Sequence, residues 1–228
     1  MHRPPNPEPD PAPEPIPAPK PQPVRFAIVV LALPALLFLA PLPAHAQLKS
    51  ALLEQGKALG REMFEPGDTG QGGTGQPVDG IEGSSHEMLK THFHAHLALF
   101  YRGEQIAVPY GIGIVQPFRV ENGFVGAGSG YYWLHTHDAS GIIHIESPTE
   151  RAYTLGNFFD VWGEPLEAGK GGKAANVAGL RGRLRVYVDG KRFSEDPRGI
   201  VLKPHEQITL VIGEPDVAPP AYAFPEGL

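Results

Sequence analysis

The chain of 228 residues contains no cysteine. This absence excludes a disulfide framework, cysteine-ligated zinc, iron–sulfur clusters and thiol catalysis. Basic residues are also outnumbered, because 19 Lys and Arg stand against 25 Asp and Glu, for a net charge of −6. A general nucleic-acid-binding protein carries a basic surface stripe, so this class is disfavoured. The length is sufficient for a hydrophobic core that is stable without disulfides.

The first 46 residues combine a proline-rich arm with an apolar segment. Eleven prolines lie within residues 1–23, and such a composition cannot bury enough apolar surface to fold. An apolar run over 26–40 and an A-x-A sequence at 44–46 follow, an order typical of a cleaved secretory signal peptide. We therefore expect a periplasmic or secreted protein. The alternative is that residues 26–44, about 19 residues and just long enough to span a bilayer, remain as the membrane anchor of an extracytoplasmic domain.

Three segments follow this N-terminal region. Residues 47–85 are expected to contain a short amphipathic helix over 48–64, where apolar residues recur at roughly helical spacing, and then a glycine-rich linker. Residues 86–213 contain most of the histidines and are expected to form a β domain. Residues 214–228 are rich in proline, and we expect a surface extension there.

From Thr91 onwards the hydrophobic pattern changes to the period of two that is typical of strands. Short strands are predicted at 91–99, 105–108, 131–137, 142–146, 183–188, 191–193 and 207–212, with hairpin turns at 138–141 and 189–190. A short helix is predicted over 154–162, with Thr154 as its N-cap. The fold class is therefore mainly β, an antiparallel β-sandwich or small barrel with one or two short helices.

Six of the ten histidines lie within residues 92–144, at spacings that place them on common strand faces. An H-x-H-x-H sequence occupies 92–96 and an H-x-H sequence occupies 135–137, while His144 lies two residues before Glu146. Side chains two residues apart on a strand are separated by about 6.6 Å, and those on neighbouring strands by about 5 Å. Two such strands side by side can therefore direct several imidazoles at one point.

A bound metal ion accounts for such a cluster, because buried neutral imidazoles need partners and protonated ones repel each other. We predict a mononuclear or dinuclear metal site with five histidine ligands and two further contributors. The ligands are His94, His96, His135, His137 and His144, and the contributors are His92 and Glu146. Copper and zinc are the preferred metals outside the cytoplasm, with iron as a further candidate. The alternative is a hydrated sheet face without a ligand.

The histidine pattern locates a site without defining a reaction. One hypothesis is a metal-dependent oxidoreductase or hydrolase acting on a small molecule, in which an open coordination position serves catalysis. A second is a non-enzymatic periplasmic metal carrier or buffer, and a third is a structural or adhesion module with incidental histidines. No nucleic-acid partner is expected, and a membrane is a partner only if residues 26–44 are retained.

The histidine segments also resemble known sequences. Residues 92–96 (HFHAH), 134–138 (LHTHD), 141–148 (GIIHIESP) and 155–163 (LGNFFDVWG) resemble a set of motifs in a family of uncharacterised secreted bacterial proteins. The resemblance covers roughly residues 86–213. It implies the position of a site but no reaction, because no activity is established for that family.

Two weaker similarities concern metal-binding β folds. His135 and His137 are similar to the start of the cupin metal motif, but Gly141 stands where that motif has a glutamate. Cupredoxins are similar in being exported β-sandwiches with histidine ligands, and the absence of cysteine excludes their blue-copper centre.

Overall fold

The computed structural model describes residues 56–67, 75–169 and 171–228, and these are mainly β, as predicted. The proline-rich arm and the predicted signal peptide or anchor, residues 1–46, lie outside the described residues, as does the first half of the predicted helix over 48–64. In the part that is described, no helix is both long and apolar enough to cross a membrane.

Short strands make up most of the regular structure. They are β1 (Gly83–Ser84), β2 (Thr91–Tyr101), β3 (Glu104–Ile106), β4 (Ile114–Val115), β5 (Arg119–Glu121), β6 (Phe124–Ala127), β7 (Gly130–Tyr132), β8 (Leu134–His135), β9 (Ile142–Ser147), β10 (Leu166–Glu167), β11 (Ala175–Val177), β12 (Leu180–Gly182), β13 (Leu184–Val188), β14 (Lys191–Phe193) and β15 (Gln207–Ile212). Within the described ranges, helical structure is confined to α1 (Leu155–Trp162) and a 3₁₀-helix at Pro197–Gly199.

The largest sheet has seven strands, with β2 near its centre. Its order is β14–β13–β15–β2–β9–β8, and β3 also pairs with β2. The pairs are antiparallel except for β15 with β2, which run parallel. Within the described residues this sheet is open, because β14 and β8 form its edges, so the barrel alternative is not found there. Smaller sheets, β1–β7–β4, β10–β11–β12 and β5–β6, complete the architecture.

The two faces of β2 have different surroundings. Ala95, Leu97 and Leu99 belong to the main hydrophobic core. Phe158 and Trp162 of α1 are part of the same core. The histidines of β2 alternate with the core residues, so they point to the opposite face of the sheet. The position of the core therefore determines the side on which a histidine site can form.

The predicted helix and its N-cap are confirmed. The Asn157 N–H donates to Thr154 Oγ1 at 3.2 Å, and the Thr154 N–H donates to Asn157 Oδ1 at 2.9 Å. This reciprocal capping box satisfies two backbone groups that otherwise lack partners at the start of a helix. The helix ends at Trp162, and Gly163 follows in the left-handed conformation with φ of 78°.

Both predicted hairpins are also confirmed. In the first, β8 pairs with β9 across the turn at 138–141. In the second, β13 pairs with β14, and the turn residues Asp189 and Gly190 have φ of 48° and 73°, as a two-residue hairpin turn requires. The strand predicted over 131–137 is divided at Trp133 into β7 and β8, which belong to different sheets.

Residues 56–64, the second half of the predicted amphipathic helix, are not helical. The Arg61 N–H donates to the Gln105 carbonyl at 2.8 Å, and the Arg61 carbonyl accepts from the Ala107 N–H at 3.0 Å. Gly60 has φ of 114°, and a Cβ at this position would lie 2.6 Å from the Gln105 oxygen. These backbone hydrogen bonds beside β3 therefore hold the segment in a non-helical conformation, even though its apolar side chains have helical spacing.

Residues 214–228, for which the sequence predicts a surface extension, are exposed or half-buried and pack against the domain. Gln207 Nε2 donates to the Tyr222 carbonyl at 2.9 Å, and the Tyr222 N–H donates to Gln207 Oε1 at 2.8 Å. Further along, His205 Nε2 lies 2.7 Å from the main-chain oxygen of Leu228. One glutamine thus binds the backbone of the tail in the manner of a neighbouring strand.

Candidate metal centre

Strand register brings three of the predicted ligands into one row. His94 of β2 lies opposite His144 of β9, and His144 lies opposite His135 of β8. Directly opposed residues of antiparallel strands point to the same face, so the three imidazoles are neighbours. Their ring centroids are 4.5 Å apart between His94 and His144 and 5.3 Å apart between His144 and His135.

A buried carboxylate lies in the next row of the same face. Glu146 is opposite His92, and the distance from Glu146 Oε1 to His92 Nε2 is 3.5 Å. The Glu146 side chain is 4% exposed, whereas that of His92 is 44% exposed. Glu146 Oε2 has no hydrogen-bond partner among the described residues. Burial of a carboxylate is costly unless it is paired or coordinates a metal, so this orphaned oxygen indicates a cation site.

His137 joins the row from the turn that follows β8. Its ring stacks on Phe124, with centroids 4.8 Å apart and an interplanar angle of 8°. Its Nδ1 lies 2.6 Å from the carbonyl oxygen of Val125. These two contacts direct Nε2 towards His135, whose own Nε2 is 3.1 Å away.

Backbone carbonyls define the proton positions on His135 and His137. His135 Nδ1 lies 2.8 Å from the Tyr132 carbonyl oxygen, as His137 Nδ1 does from that of Val125 at 2.6 Å. Carbonyl oxygens only accept hydrogen bonds, so each neutral ring carries its proton on Nδ1 and its lone pair on Nε2. When both rings are neutral, the two Nε2 lone pairs lie close together and repel unless one cation binds to both.

The separation of these two nitrogens is that of two ligands of one metal ion. In a tetrahedral site with metal–nitrogen bonds of about 2.0–2.1 Å, ligand nitrogens lie about 3.3 Å apart. The observed distance between the Nε2 atoms of His135 and His137 is 3.1 Å. The separation of the two nitrogens is therefore compatible with both binding the same ion.

Four buried side chains complete this arrangement, and we call them the inner site. His135, His137, His144 and Glu146 each place one ligand atom within 4.8 Å of the others. His144 Nδ1 is 3.3 Å from Glu146 Oε1, and His135 Nε2 is 3.9 Å from Glu146 Oε2. Three imidazole nitrogens and one carboxylate oxygen form a donor set suited to zinc, copper and iron. The inner site can therefore hold a metal ion.

Burial keeps His135 and His144 in the neutral form that binds metals. It lowers the pKa of His135 and that of His144 well below the ordinary 6.5, and the neighbouring His137 lowers both further. A protonated imidazole has no lone pair for coordination, so metal binding requires the neutral ring. The lone pairs of these two residues are thus available at neutral pH and in mild acid.

A second group shares Glu146 with the inner site, and we call it the outer site. His92, His94 and Glu146 also place one ligand atom each within 4.8 Å of the others. His94 is 4% exposed, and its Nε2 has no hydrogen-bond partner among the described residues. Burial, and next the neighbouring His92, lower the pKa of His94 to about 4.

The structure does not bring the predicted ligand His96 into either site. Its Nε2 lies 3.0 Å from the Ser140 carbonyl oxygen, and its ring stacks on Tyr222 with centroids 3.7 Å apart. Burial lowers the pKa of His96 to about 4, so the ring is neutral and its Nε2–H donates to Ser140. Strand alternation correctly places His96 on the face of His94, but its contacts are with Ser140 of the hairpin turn and Tyr222 of the docked tail.

Two residues beside the inner site are not among the predicted ligands. Glu87 Oε1 lies 3.5 Å from His137 Nε2, and the ring centroid of Tyr131 is 5.7 Å from that of His135. Glu87 precedes β2 in a segment without strand periodicity, so its approach depends on the path of the chain between β1 and β2. The sequence points only weakly to Tyr131 as a residue beside the site, because its one indication is that it lies close to the H-x-H motif.

A cavity of about 240 Å³ lies beside the inner site. It is bounded by His144, by Asp138 and Ser140 of the hairpin turn, and by Tyr222 and residues 225–228 of the tail. Asp138 Oδ1 accepts from the Ser140 N–H at 3.0 Å and from Ser140 Oγ at 2.5 Å, which orders this turn. The cavity provides room for a small molecule next to a ligand of the inner site.

Comparisons with known proteins show no relative, since no family model matches the chain and no curated protein or solved structure is significantly similar to it. The resemblance to uncharacterised secreted proteins therefore stays a prediction. The fold and the site define the chain as a mainly β protein with a buried cluster of histidine and glutamate that can hold a metal ion.

Proposed function

We propose that this protein is an exported metal-binding protein whose inner site holds a transition-metal ion. The observation that carries the proposal is the 3.1 Å approach of the His135 and His137 Nε2 atoms, whose lone pairs face each other. A shared proton would require an imidazolium in a place where burial lowers the pKa of His135. A metal ion accepts both lone pairs without that cost. The signal-peptide pattern within residues 1–46 supports export.

Copper or zinc is the proposed metal, with iron as the next candidate. Imidazole nitrogens suit all three ions, and the chain has no thiolate that would favour copper(I). The single carboxylate of Glu146 adds a harder donor and offsets one positive charge. Nothing in this donor set favours calcium or magnesium, which prefer an all-oxygen environment.

Catalysis by the bound metal is a second candidate function. The cavity beside His144 favours it, because a small molecule there would lie against a ligand of the metal. The reaction would be an oxidation, a reduction or a hydrolysis at the metal. A carrier or buffer, in contrast, needs ready exchange of the ion and no room for a substrate. Turnover with metal-loaded protein, compared with release of the ion to a competing chelator, separates the two functions.

Metal titration of the full chain tests the proposal. After removal of metal, Zn²⁺ or Cu²⁺ is added in a calorimeter, and the bound metal is measured by elemental analysis after gel filtration. We expect at least one tightly bound equivalent, and the double variant His135→Ala, His137→Ala should lose one. The exposed His86 provides the matched control, because His86→Ala leaves the cluster intact. A wild-type chain that binds neither metal contradicts the proposed function.

A further inference from the structure

His94 is a buried candidate ligand that does not belong to the inner site. Its side chain lies on the cluster face opposite His144, and its Nε2 has no hydrogen-bond partner among the described residues. A buried imidazole nitrogen without a partner loses its hydration with no compensation. Because one ring nitrogen of His94 lies within 4.8 Å of a Glu146 oxygen, and His94 is outside the inner group, the residue indicates a further cation position beside the carboxylate.

His92 supplies the second nitrogen at that position. Its Nε2 lies 3.5 Å from Glu146 Oε1, and its ring centroid is 5.1 Å from that of His94. The side chain of His92 is 44% exposed, so the position has one side open to solvent. Two imidazoles, one carboxylate and an open side are sufficient for a metal that completes its coordination with water.

The carboxylate of Glu146 lies close to histidines of both the inner site and the outer site. Oε1 is 3.3 Å from His144 Nδ1 and 3.5 Å from His92 Nε2, whereas Oε2 is 3.9 Å from His135 Nε2. One carboxylate with two oxygens can bind two ions at once. Two-metal sites hold their ions about 3.5–4 Å apart, a separation that a bridging carboxylate spans.

We infer that His92 and His94, together with Glu146, hold a second metal ion, so that Glu146 bridges a dinuclear centre. This inference rests on the proposed function of the inner site. Two divalent ions carry four positive charges, and Glu146 offsets one. Glu87 lies 3.5 Å from His137 Nε2 and reduces the excess further. Hydroxide formed from water on the open side of His92 would offset a further part of this positive charge, because a divalent ion strongly lowers the pKa of bound water.

Metal stoichiometry and electron paramagnetic resonance test the inference on the full chain with Cu²⁺ as the probe. The wild type should bind two equivalents, and a carboxylate bridge should couple their spins, so the integrated signal should be well below two spins per chain. The variant His92→Ala, His94→Ala should bind one equivalent with a full one-spin signal. His86→Ala should behave as the wild type.

Each outcome separates the inference from the proposed function. The second site is overturned if the wild type binds only one equivalent of metal. The inner site still stands if that equivalent is retained in the double variant His92→Ala, His94→Ala and lost in the double variant His135→Ala, His137→Ala. Two equivalents with two full, uncoupled spins overturn the bridge. If the double variant does not fold, the half-exposed His92 is replaced alone, and His92→Ala should weaken the second equivalent by about 10-fold or more. Unchanged affinity for that equivalent also overturns the inference.

Discussion

The Nε2 atoms of His135 and His137 are only 3.1 Å apart, although the two residues are separated by a single position in the chain. On a continuous strand the side chains of such residues lie about 6.6 Å apart along the chain. They converge because β8 ends at His135, so that His137 lies in the following turn, where its Nδ1 contacts the Val125 carbonyl. The centre therefore depends on a strand that stops between two histidines.

Removal of the metal is expected to destabilise the full chain. A ligand that binds only the folded state adds about 2.7 kcal/mol when its free concentration is 100 times its Kd. Thermal unfolding with and without a chelator should show a lower Tm for the stripped protein. In the double variant His135→Ala, His137→Ala, the chelator should lower the Tm by clearly less than it does in the wild type. Equal sensitivity of this variant and the wild type would place the stabilising metal elsewhere.

Acid is expected to destabilise the metal-free protein as the pH falls from 6.5 towards 4. Burial lowers the pKa of folded His96 from 6.5 to about 4. Below pH 6.5 the unfolded chain binds a proton that the folded chain does not, so the stability present above pH 6.5 is lost as the pH approaches 4. A pKa difference of this size corresponds to a loss of about 3 kcal/mol in the free energy of unfolding.

Urea unfolding of the metal-free protein between pH 7 and pH 4 measures this loss. His96→Gln cannot titrate in this range, so its stability should depend less steeply on pH than that of the wild type. The exposed His86 again provides a control, and His86→Ala should follow the wild type. A His96→Gln variant with the full pH dependence would show that other groups cause it.

The docked tail is expected to depend on Gln207. Gln207→Ala removes two hydrogen bonds to the Tyr222 backbone, a loss of about 1–3 kcal/mol in total. Limited proteolysis should then cleave residues 214–228 faster, while the metal content stays unchanged because neither site contains a tail residue. Gln105→Ala in β3 is a matched control and should leave the rate of tail cleavage as in the wild type. Equal cleavage rates for Gln207→Ala and wild type would refute this role.

The capping box of α1 is expected to stabilise the main core. Thr154→Ala removes the oxygen that accepts from the Asn157 N–H and should lower the free energy of unfolding by about 1 kcal/mol. Thr154→Ser keeps that oxygen and should retain most of the stability. Chemical denaturation measures both variants, and metal stoichiometry should be unchanged because α1 contributes no residue to either site. Equal losses in the alanine and serine variants would argue against the cap.

Local features of this fold were predictable from the sequence. The strand that contains residues 92–96, the hairpin turn at 189–190 and the cap at Thr154 all agree with the structure. Each results from interactions among residues close in the chain, namely side-chain alternation, turn conformation and a hydrogen bond across one helical turn. The non-helical segment 56–64 and the docked tail were not predictable, because both depend on backbone contacts with distant residues.

The sequence by itself determined that histidines at alternate positions share one sheet face, and that thiolate ligands are excluded. Only the tertiary structure decided which histidines meet. Pairing of β9 with β2 on one side and with β8 on the other places His144 between His94 and His135, and Tyr222 of the distant tail covers His96 instead. The physical reason is that periodicity is a property of the local chain. Register, the end of a strand and the docking of a tail result from packing between residues far apart in sequence.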